Sequence, residues 1–158
     1  MITIRNATGA DVDKIVALAL IDYDCEMATI FNTDPLEYGR NICLAVVNGF
    51  YNPELEMIKV ACRDDEIVGY TWVVRNQYSP WSTDEIAEVK ICHVSLSLPV
   101  RQRIVLINEF ISTWEAWSRA IGVRVLCSST VRSSQSAFLR IHERRGYTIR
   151  GSIAYKKL

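Results

Sequence analysis

The chain opens on a short alternating segment, Ile2-Thr-Ile-Arg, whose period of two predicts a strand. Thr8-Gly-Ala-Asp11 follows as a turn able to cap a helix. Val12, Ile15, Val16, Leu18, Ala19 and Leu20 then recur at helical spacing. Asp34-Pro35 predicts a second helix over 36–47, because proline fits a first turn and the Asp34 carboxylate can accept from orphan amides. Asn48-Gly49 is expected to end it. Strand patterns over 57–62 and 67–75 flank Asp64, Asp65 and Glu66 and predict a hairpin. In the second of them Val68, Tyr70, Trp72 and Val74 alternate with Gly69, Thr71 and Val73.

Residues 78–85 carry Pro80 and polar side chains and read as a loop, and 87–98 as a longer strand. Ile107, Phe110, Ile111, Trp114, Trp117 and Ile121 mark one face of a helix over 104–121, which Gly122 stops. A strand at 123–128, a helix at 133–145 ended by Gly146, and a last strand or strands over 147–157 complete the chain. The order is strand, two helices, three strands, helix, strand, helix, strand. It predicts an α/β fold, a mixed sheet with helices covering its faces. The strands at 87–98 and 123–128 are expected to be parallel neighbours joined by the long helix.

At 158 residues, with no internal repeat, low-complexity segment or clear linker, 1–158 reads as one domain with a sizeable core. A hydrophobic share of 49% argues against disorder. Lys plus Arg and Asp plus Glu are 18 each, and the resulting net charge of zero argues against nonspecific nucleic-acid or membrane binding. The longest uncharged apolar run, near 42–51, contains Asn48 and Gly49 and is too short to span a bilayer. The opening residues lack the shape of a signal peptide, so a cytoplasmic location is expected. Cys25, Cys43, Cys62, Cys92 and Cys127 are odd in number and scattered among apolar neighbours, as reduced buried thiols would be. No pair of them has metal-ligand spacing, and no metal site is expected.

The segment most suggestive of chemistry is Leu96-Ser-Leu-Pro-Val-Arg-Gln-Arg-Ile-Val-Leu106. A strand running through a basic turn into a helix N-terminus can hold phosphate: backbone N–H groups converge on the anion and the helix dipole adds attraction. Arg101 and Arg103 match the geometry of pyrophosphate. The turn has no glycine, so it can equally be a surface turn with solvated arginines.

The order of elements, with several local features, resembles the GNAT N-acetyltransferase superfamily over nearly the whole chain. The features are Ile4-Arg5-Asn6-Ala7-Thr8-Gly9-Ala10-Asp11 at the first strand and turn, Ile67-Val-Gly-Tyr70, Gly146-Tyr147 after the last helix, and Tyr155-Lys-Lys-Leu158 at the end. The resemblance implies a mixed, mostly antiparallel sheet with splayed central parallel strands and helices on both faces. It implies acetyl transfer from acetyl-CoA to a primary amine, small or on a protein, by direct attack. It also implies acetyl-CoA as cosubstrate, an amine acceptor as partner, and a possible homodimer. The family's pyrophosphate motif falls on Arg101-Gln102-Arg103-Ile104-Val105-Leu106, with Ile104 and Leu106 where the family has small residues. The implied cofactor contacts are the amides of Gln102, Arg103, Ile104, Val105 and Leu106. A backbone N–H near Leu96, Ser97 and Leu98 would polarise the thioester carbonyl, and Gln135 would reach the cofactor arm.

The resemblance also implies catalytic positions. His142, four residues before Gly146, stands where the family often has a tyrosine that protonates the leaving thiolate. A general base is implied on or just before the fourth strand, where Glu85, Glu88 and His93 are available. By steps of two, Glu88 is expected on one face with Lys90 and Cys92, and His93 on the other with Ile91, Ser95 and Ser97. Plain alternatives stand beside them: Glu88 as a solvated partner of Lys90 and His142 as a packed helix residue, while Cys127, a conceivable thiol nucleophile ahead of Ser128-Ser129-Thr130, reads more simply as a structural thiol. Tyr23, Phe31, Tyr78 and Trp81 lie in segments that border the acceptor in the family. Two rival functions stay open, a noncatalytic binding or regulatory GNAT fold, favoured by the missing glycines, and a transferase using another acyl-CoA.

Overall fold

The computed structural model describes residues 1–26, 30–130, 135–151 and 153–157. Its elements are β1 (Ile2–Asn6), a 3-10 turn (Gly9–Asp11), α1 (Val12–Glu26), α2 (Pro35–Tyr51), β2 (Glu56–Arg63), β3 (Glu66–Tyr78), β4 (Glu85–Val94), α3 (Val100–Ala120), β5 (Val125–Ser128) and α4 (Ser136–Arg144). The sheet runs β1-β2-β3-β4-β5, antiparallel except for the last pair. The expected parallel neighbours are therefore present, and α3 joins them. The β2–β3 hairpin turns through Asp64 and Asp65, whose φ values of 49° and 65° suit a two-residue turn of the strand-matching hand.

Two hydrophobic cores sandwich the sheet. Ile15, Leu18, Ile42 and Ala45 of α1 and α2 pack against Ile58, Val60 and Tyr70 on one face. Leu106, Phe110, Ile111 and Trp114 of α3, with Ile141 of α4, pack against Val68, Val73 and Val89 on the other. A buried polar chain crosses the second core: Trp114 Nε1 donates to Thr71 Oγ1 at 2.8 Å, and Thr71 Oγ1 donates to the Ile91 carbonyl at 2.9 Å. At the sheet's first edge, Arg5 grips Asp11 with bonds of 2.7 and 2.8 Å, and Asp11 in turn accepts from Thr8.

The strict alternation expected along β3 and β4 fails at three irregularities of register, one of them between Val74 and Gln77 and the other two nearer the open end of β4. Ala61 pairs with Gly69 and Cys62 with Ile67, so Val68 is the extra residue and turns to the α3 side. Trp72 pairs with Ile91 and Val73 with Val89, which leaves Lys90 unpaired on β4. Beyond that bulge the parity is inverted. Ala87, Val89, Cys92 and Val94 face α3, whereas Ile91 faces α1 and α2. Glu88, paired with Val74, and His93, paired with Tyr70, consequently share a face, contrary to the expectation from steps of two.

Several boundaries also move. α2 runs past Asn48-Gly49 to Tyr51, and Asn52 caps it through a 2.7 Å bond to the Asn48 carbonyl. Gly49 lies inside the helix, at a point where a Cβ would come within 3.3 Å of the Glu56 carbonyl. β4 stops at Val94, since residues 95–98 fold into a serine-held turn, and α3 starts at Val100 instead of near Ile104. The last strand expected over 147–157 is not formed among the described residues. Gly151 at φ 74° interrupts extension, and Ile149, Ile153 and Tyr155 are exposed. Accordingly β5, expected as a central strand, forms the sheet edge among the described residues. Cys43 and Cys127 are exposed, unlike buried Cys62, while the side chain of Cys25 and residues 133–134 lie outside the described set.

Gly69 allows α3 to sit close on β3. A Cβ at this position would lie 2.9 Å from the His93 carbonyl and 3.2 Å from a Leu106 methyl. Gly69→Ala should cost about 2 kcal/mol through overpacking. Urea denaturation would measure it, and an unchanged midpoint would refute the close approach.

Candidate functional site

The site is built where β4 and β5 separate. The two strands pair only at Ile86↔Val125, Ala87↔Leu126, Glu88↔Cys127 and Val89↔Ser128. β4 continues to Val94 with no strand on that side among the described residues. The Lys90 bulge follows directly on the last parallel pair and bends the strand there. Residues 90–94 of β4 thereby have no strand partner on that side among the described residues.

The chain then makes a tight turn before α3. Ser95 N–H still donates to the Val68 carbonyl at 2.9 Å, Leu98 N–H donates to the Ser95 carbonyl at 3.2 Å, and Ser97 N–H donates to Ser95 Oγ at 3.3 Å. Of the three amides expected to polarise a carbonyl, those of Ser97 and Leu98 are therefore committed within the turn. Leu96 N–H makes no hydrogen bond among the described residues.

Pro99 is the N-cap of α3 and supplies no side-chain cap. Arg103 N–H is the first amide of the helical ladder, bonded to the Pro99 carbonyl at 3.0 Å. The amides of Val100, Arg101 and Gln102 are thus the orphan donors of the helix, and they carry its positive dipole end. This corrects the expectation that amides of 102–106 form the anion cradle, because those of Arg103, Ile104, Val105 and Leu106 are consumed by the helix. The Arg101 and Gln102 side chains are exposed, while Arg103 is half-buried and its Nε has no partner. Leu106 is buried in the core, and Ile104 and Val105 border a shallow groove against Ile2 and Ile4 of β1. Gln135 is exposed at the N-cap of α4.

His93 projects from the open part of β4 toward α1 and α2. Its Nε2 lies 2.9 Å from Asp22 Oδ2 on α1, with both side chains largely buried. The approach has ion-pair distance without the alignment of a hydrogen bond. The imidazole stacks on Tyr70 at 5.4 Å and 27°, and the Tyr70 hydroxyl is 2.6 Å from that of Tyr38 on α2. Burial pushes the Tyr38 phenol up to about 12, against the opposing effect of that bond. Glu88 shares this face and is bonded to Lys90 at 2.8 Å, and Glu85 grips Arg75 at 2.6 Å.

Sequence reasoning missed Asp22, Tyr38 and Tyr70. The signal for Asp22 was present: Ile15, Leu18 and Asp22 fall at i, i+3 and i+7, which puts a carboxylate on the buried stripe of α1. Of the aromatic candidates, Phe31 packs edge-on against Tyr155 at 5.3 Å, and Trp81 is almost fully exposed. Cys127 is no activated nucleophile. Desolvation first, and Glu88 second, hold its thiol above the ordinary value.

His142 sits in a setting unlike that expected of a proton donor. It is 2% exposed, enclosed by Phe138 at 4.2 Å, Tyr147 at 4.9 Å and Trp114 at 6.2 Å between ring centres. Nδ1 contacts the Phe138 carbonyl at 2.9 Å, and Nε2 is buried without a partner. Burial pushes the imidazole below its ordinary value, and Arg145 reinforces the shift against the Phe138 carbonyl.

The same architecture recurs in solved acetyltransferases. The aminoglycoside 6'-N-acetyltransferase AAC(6')-Ih from Acinetobacter baumannii aligns over 100% of this chain and 98% of its own, with a TM-score of 0.72 and 12% identity. A predicted acetyltransferase from Clostridium acetobutylicum, solved with acetyl-CoA, aligns over 99% and 96% with a TM-score of 0.73 and 13% identity. Glucosamine-6-phosphate N-acetyltransferase from Arabidopsis thaliana aligns over 99% and 98% with a TM-score of 0.70 and 13% identity. The chain has the GNAT acetyltransferase fold. No protein-family model matches it, and no curated protein matches it in sequence. In this GNAT fold, no helix among the described residues is long and apolar enough to cross a membrane.

The depressed titration of His142 has a defined sign. The unfolded chain binds this proton from about pH 6.5 downward, the folded chain only at lower pH. The associated stability is present above pH 6.5 and is lost as pH falls toward the folded value. His142→Phe should therefore flatten the decline in thermal midpoint between pH 7.5 and 5.5. Parallel slopes for parent and variant would contradict it.

Proposed function

We propose that the protein moves an acetyl group from acetyl-CoA to a primary amine by direct attack. One observation carries the reading: the open edge of β4, the uncapped start of α3 and His93 all lie at the C-terminal end of one strand. A CoA arm can pair with the backbone of 90–94 as an added strand would. The amides of Val100, Arg101 and Gln102, with the charge of Arg101 and Arg103, suit its pyrophosphate. Leu96 N–H, which makes no hydrogen bond among the described residues, is the donor to a thioester oxygen as negative charge develops on it. His93 is the base that relieves the acceptor ammonium of its proton. Glu88 is tied to Lys90, and His142 is enclosed and biased to its neutral form, so neither enters the mechanism.

Amino sugars are the first acceptors to try, since solved structures of the same fold are named for aminoglycosides and glucosamine 6-phosphate. Acetyl-CoA at 100 times its dissociation constant should stabilise the protein by about 2.7 kcal/mol, seen as a rise in melting temperature. Changing Arg101 and Arg103 together to alanine should weaken binding and flatten its salt dependence. Calorimetry showing no binding of acetyl-CoA at millimolar concentration would overturn the transferase reading and leave a noncatalytic scaffold.

Within that reading His93→Gln should lower turnover by about 100-fold while leaving acetyl-CoA affinity unchanged. Steady-state kinetics alongside calorimetry separates the two quantities, and an undiminished rate would remove His93 from the mechanism.

A further inference from the structure

We infer that Asp22 is a positioning residue that holds the His93 imidazole in the tautomer whose proton-accepting nitrogen is Nδ1. The inference rests on the reading of His93 as the base. Asp22 is 7% exposed on the apolar stripe of α1 that Ile15 and Leu18 begin. A carboxylate at such a position gains nothing in stability over an apolar residue of similar volume, because desolvation offsets the attraction of its partner. Its placement needs a reason other than packing, and its partner is the imidazole on the open part of β4.

The tautomer follows from the charge beside Nε2. At 2.9 Å, though off the axis of a hydrogen bond, the Asp22 carboxylate repels a lone pair on Nε2 and attracts a proton there. In the neutral ring Nδ1 is then the basic nitrogen, and the charge it acquires on accepting a proton is stabilised by Asp22. The ring plane is held independently. Tyr70 stacks on it from β3, and the 2.6 Å contact between hydroxyls ties Tyr70 to Tyr38 of α2. Among the described side chains, the titratable groups that face His93 from these elements include Asp22, Tyr70 and Tyr38, with Glu88 on the same face of β4 paired to Lys90.

The step this supports is balanced. The ammonium of the acceptor gives one proton to Nδ1 and becomes a free amine. Its lone pair forms the C–N bond to the acetyl carbon as the C–S bond breaks. The departing sulfur takes the second proton from the newly acylated nitrogen, and Nδ1 returns its proton to water. Asp22 touches no reacting atom in this scheme. It acts through His93.

The chain has two histidines, so protein labelled with 15N-histidine shows only two rings, and His93→Gln identifies the signals of His93. In the parent, above the ring's titration, the proton should reside on Nε2. Asp22→Asn should spread it over both nitrogens, and Asp22→Glu should restore it to Nε2. A proton on Nδ1 in the parent, which needs no variant to observe, would overturn the assignment, and so would an Asp22→Asn spectrum identical to the parent. In turnover of acetyl-CoA with an amino-sugar panel, Asp22→Asn should lower kcat by about 100-fold, with KM for acetyl-CoA unchanged. Asp22→Glu should recover part of the rate, and adding Asp22→Asn to His93→Gln should cost nothing further. A parental kcat in Asp22→Asn would also overturn the inference. If acetyl-CoA does not bind, the transferase reading fails on its own, and the ring spectra still show whether Asp22 orients His93.

Discussion

The structure turns on one irregularity of register, the bulge that leaves Lys90 unpaired on β4. A parallel pair has no reason of its own to end after four residues. Here it ends at Val89↔Ser128, next to the bulge, where the extra residue bends β4 and sharpens its twist. The bend leaves a length of β4 without a strand partner on that side among the described residues. It also inverts the parity of every later side chain, which turns Cys92 and Val94 toward α3 and His93 toward α1. Removing the extra residue would reverse both outcomes together: β5 could go on pairing, and His93 would point into the apolar core beneath α3, where an imidazole has no charged partner.

An open strand edge is useful only if the strand stays in place, and β4 is braced from both sides. Thr71, fully buried, receives the indole N–H of Trp114 and passes its own proton to the Ile91 carbonyl, so α3 is bonded through β3 to the open part of β4. Gly69 lets α3 approach the backbone of β3 without a Cβ in the way. On the other face, the Asp22 to His93 contact and the Tyr38 to Tyr70 contact attach α1 and α2 to the same two strands. His142 belongs to this bracing, packed among Phe138, Tyr147 and Trp114 at the junction of α3 and α4.

Most elements were legible in the chain because local chemistry dictates them. Asp34-Pro35 starts α2, the Asp64-Asp65 pair turns the hairpin, and Gly122 and Gly146, at φ 78° and 85°, follow the ends of α3 and α4. What could not be read was register. A bulge is a relation between two strands, and nothing local to Lys90 or Val68 distinguishes an unpaired residue from a paired one. The candidate site inherits that blindness. His93 could be picked out by residue type and Asp22 by its place on the stripe of α1, yet their meeting depends on parity set by the bulge. The extension of β4 to Leu98 failed for a similar reason, since the Ser95 hydroxyl captures the Ser97 amide and the Ser95 carbonyl captures that of Leu98, closing a turn in place of a strand.

The start of α3 shows how a change of register alters the cost of a side chain. Read as a loop, 101–106 places a β-branched residue, Ile104, where a left-handed backbone would be strained. In the structure α3 begins at Val100, and Asp64 and Asp65 are the non-glycine residues with positive φ among those described. Ile104 and Leu106 therefore lie within regular helix, where small residues are not required for backbone geometry. The orphan amides of α3 are those of 100–102, next to Pro99, and their lack of a helical partner follows from helix termination itself. Proline at the cap offers them no side-chain acceptor, and Asp or Glu is absent from the first turn. An N-terminus left uncapped and flanked by arginines is costly unless water or an anion satisfies its donors. The missing glycines therefore remove close backbone approach at 104–106, while the electrostatic attraction at 100–102 is retained.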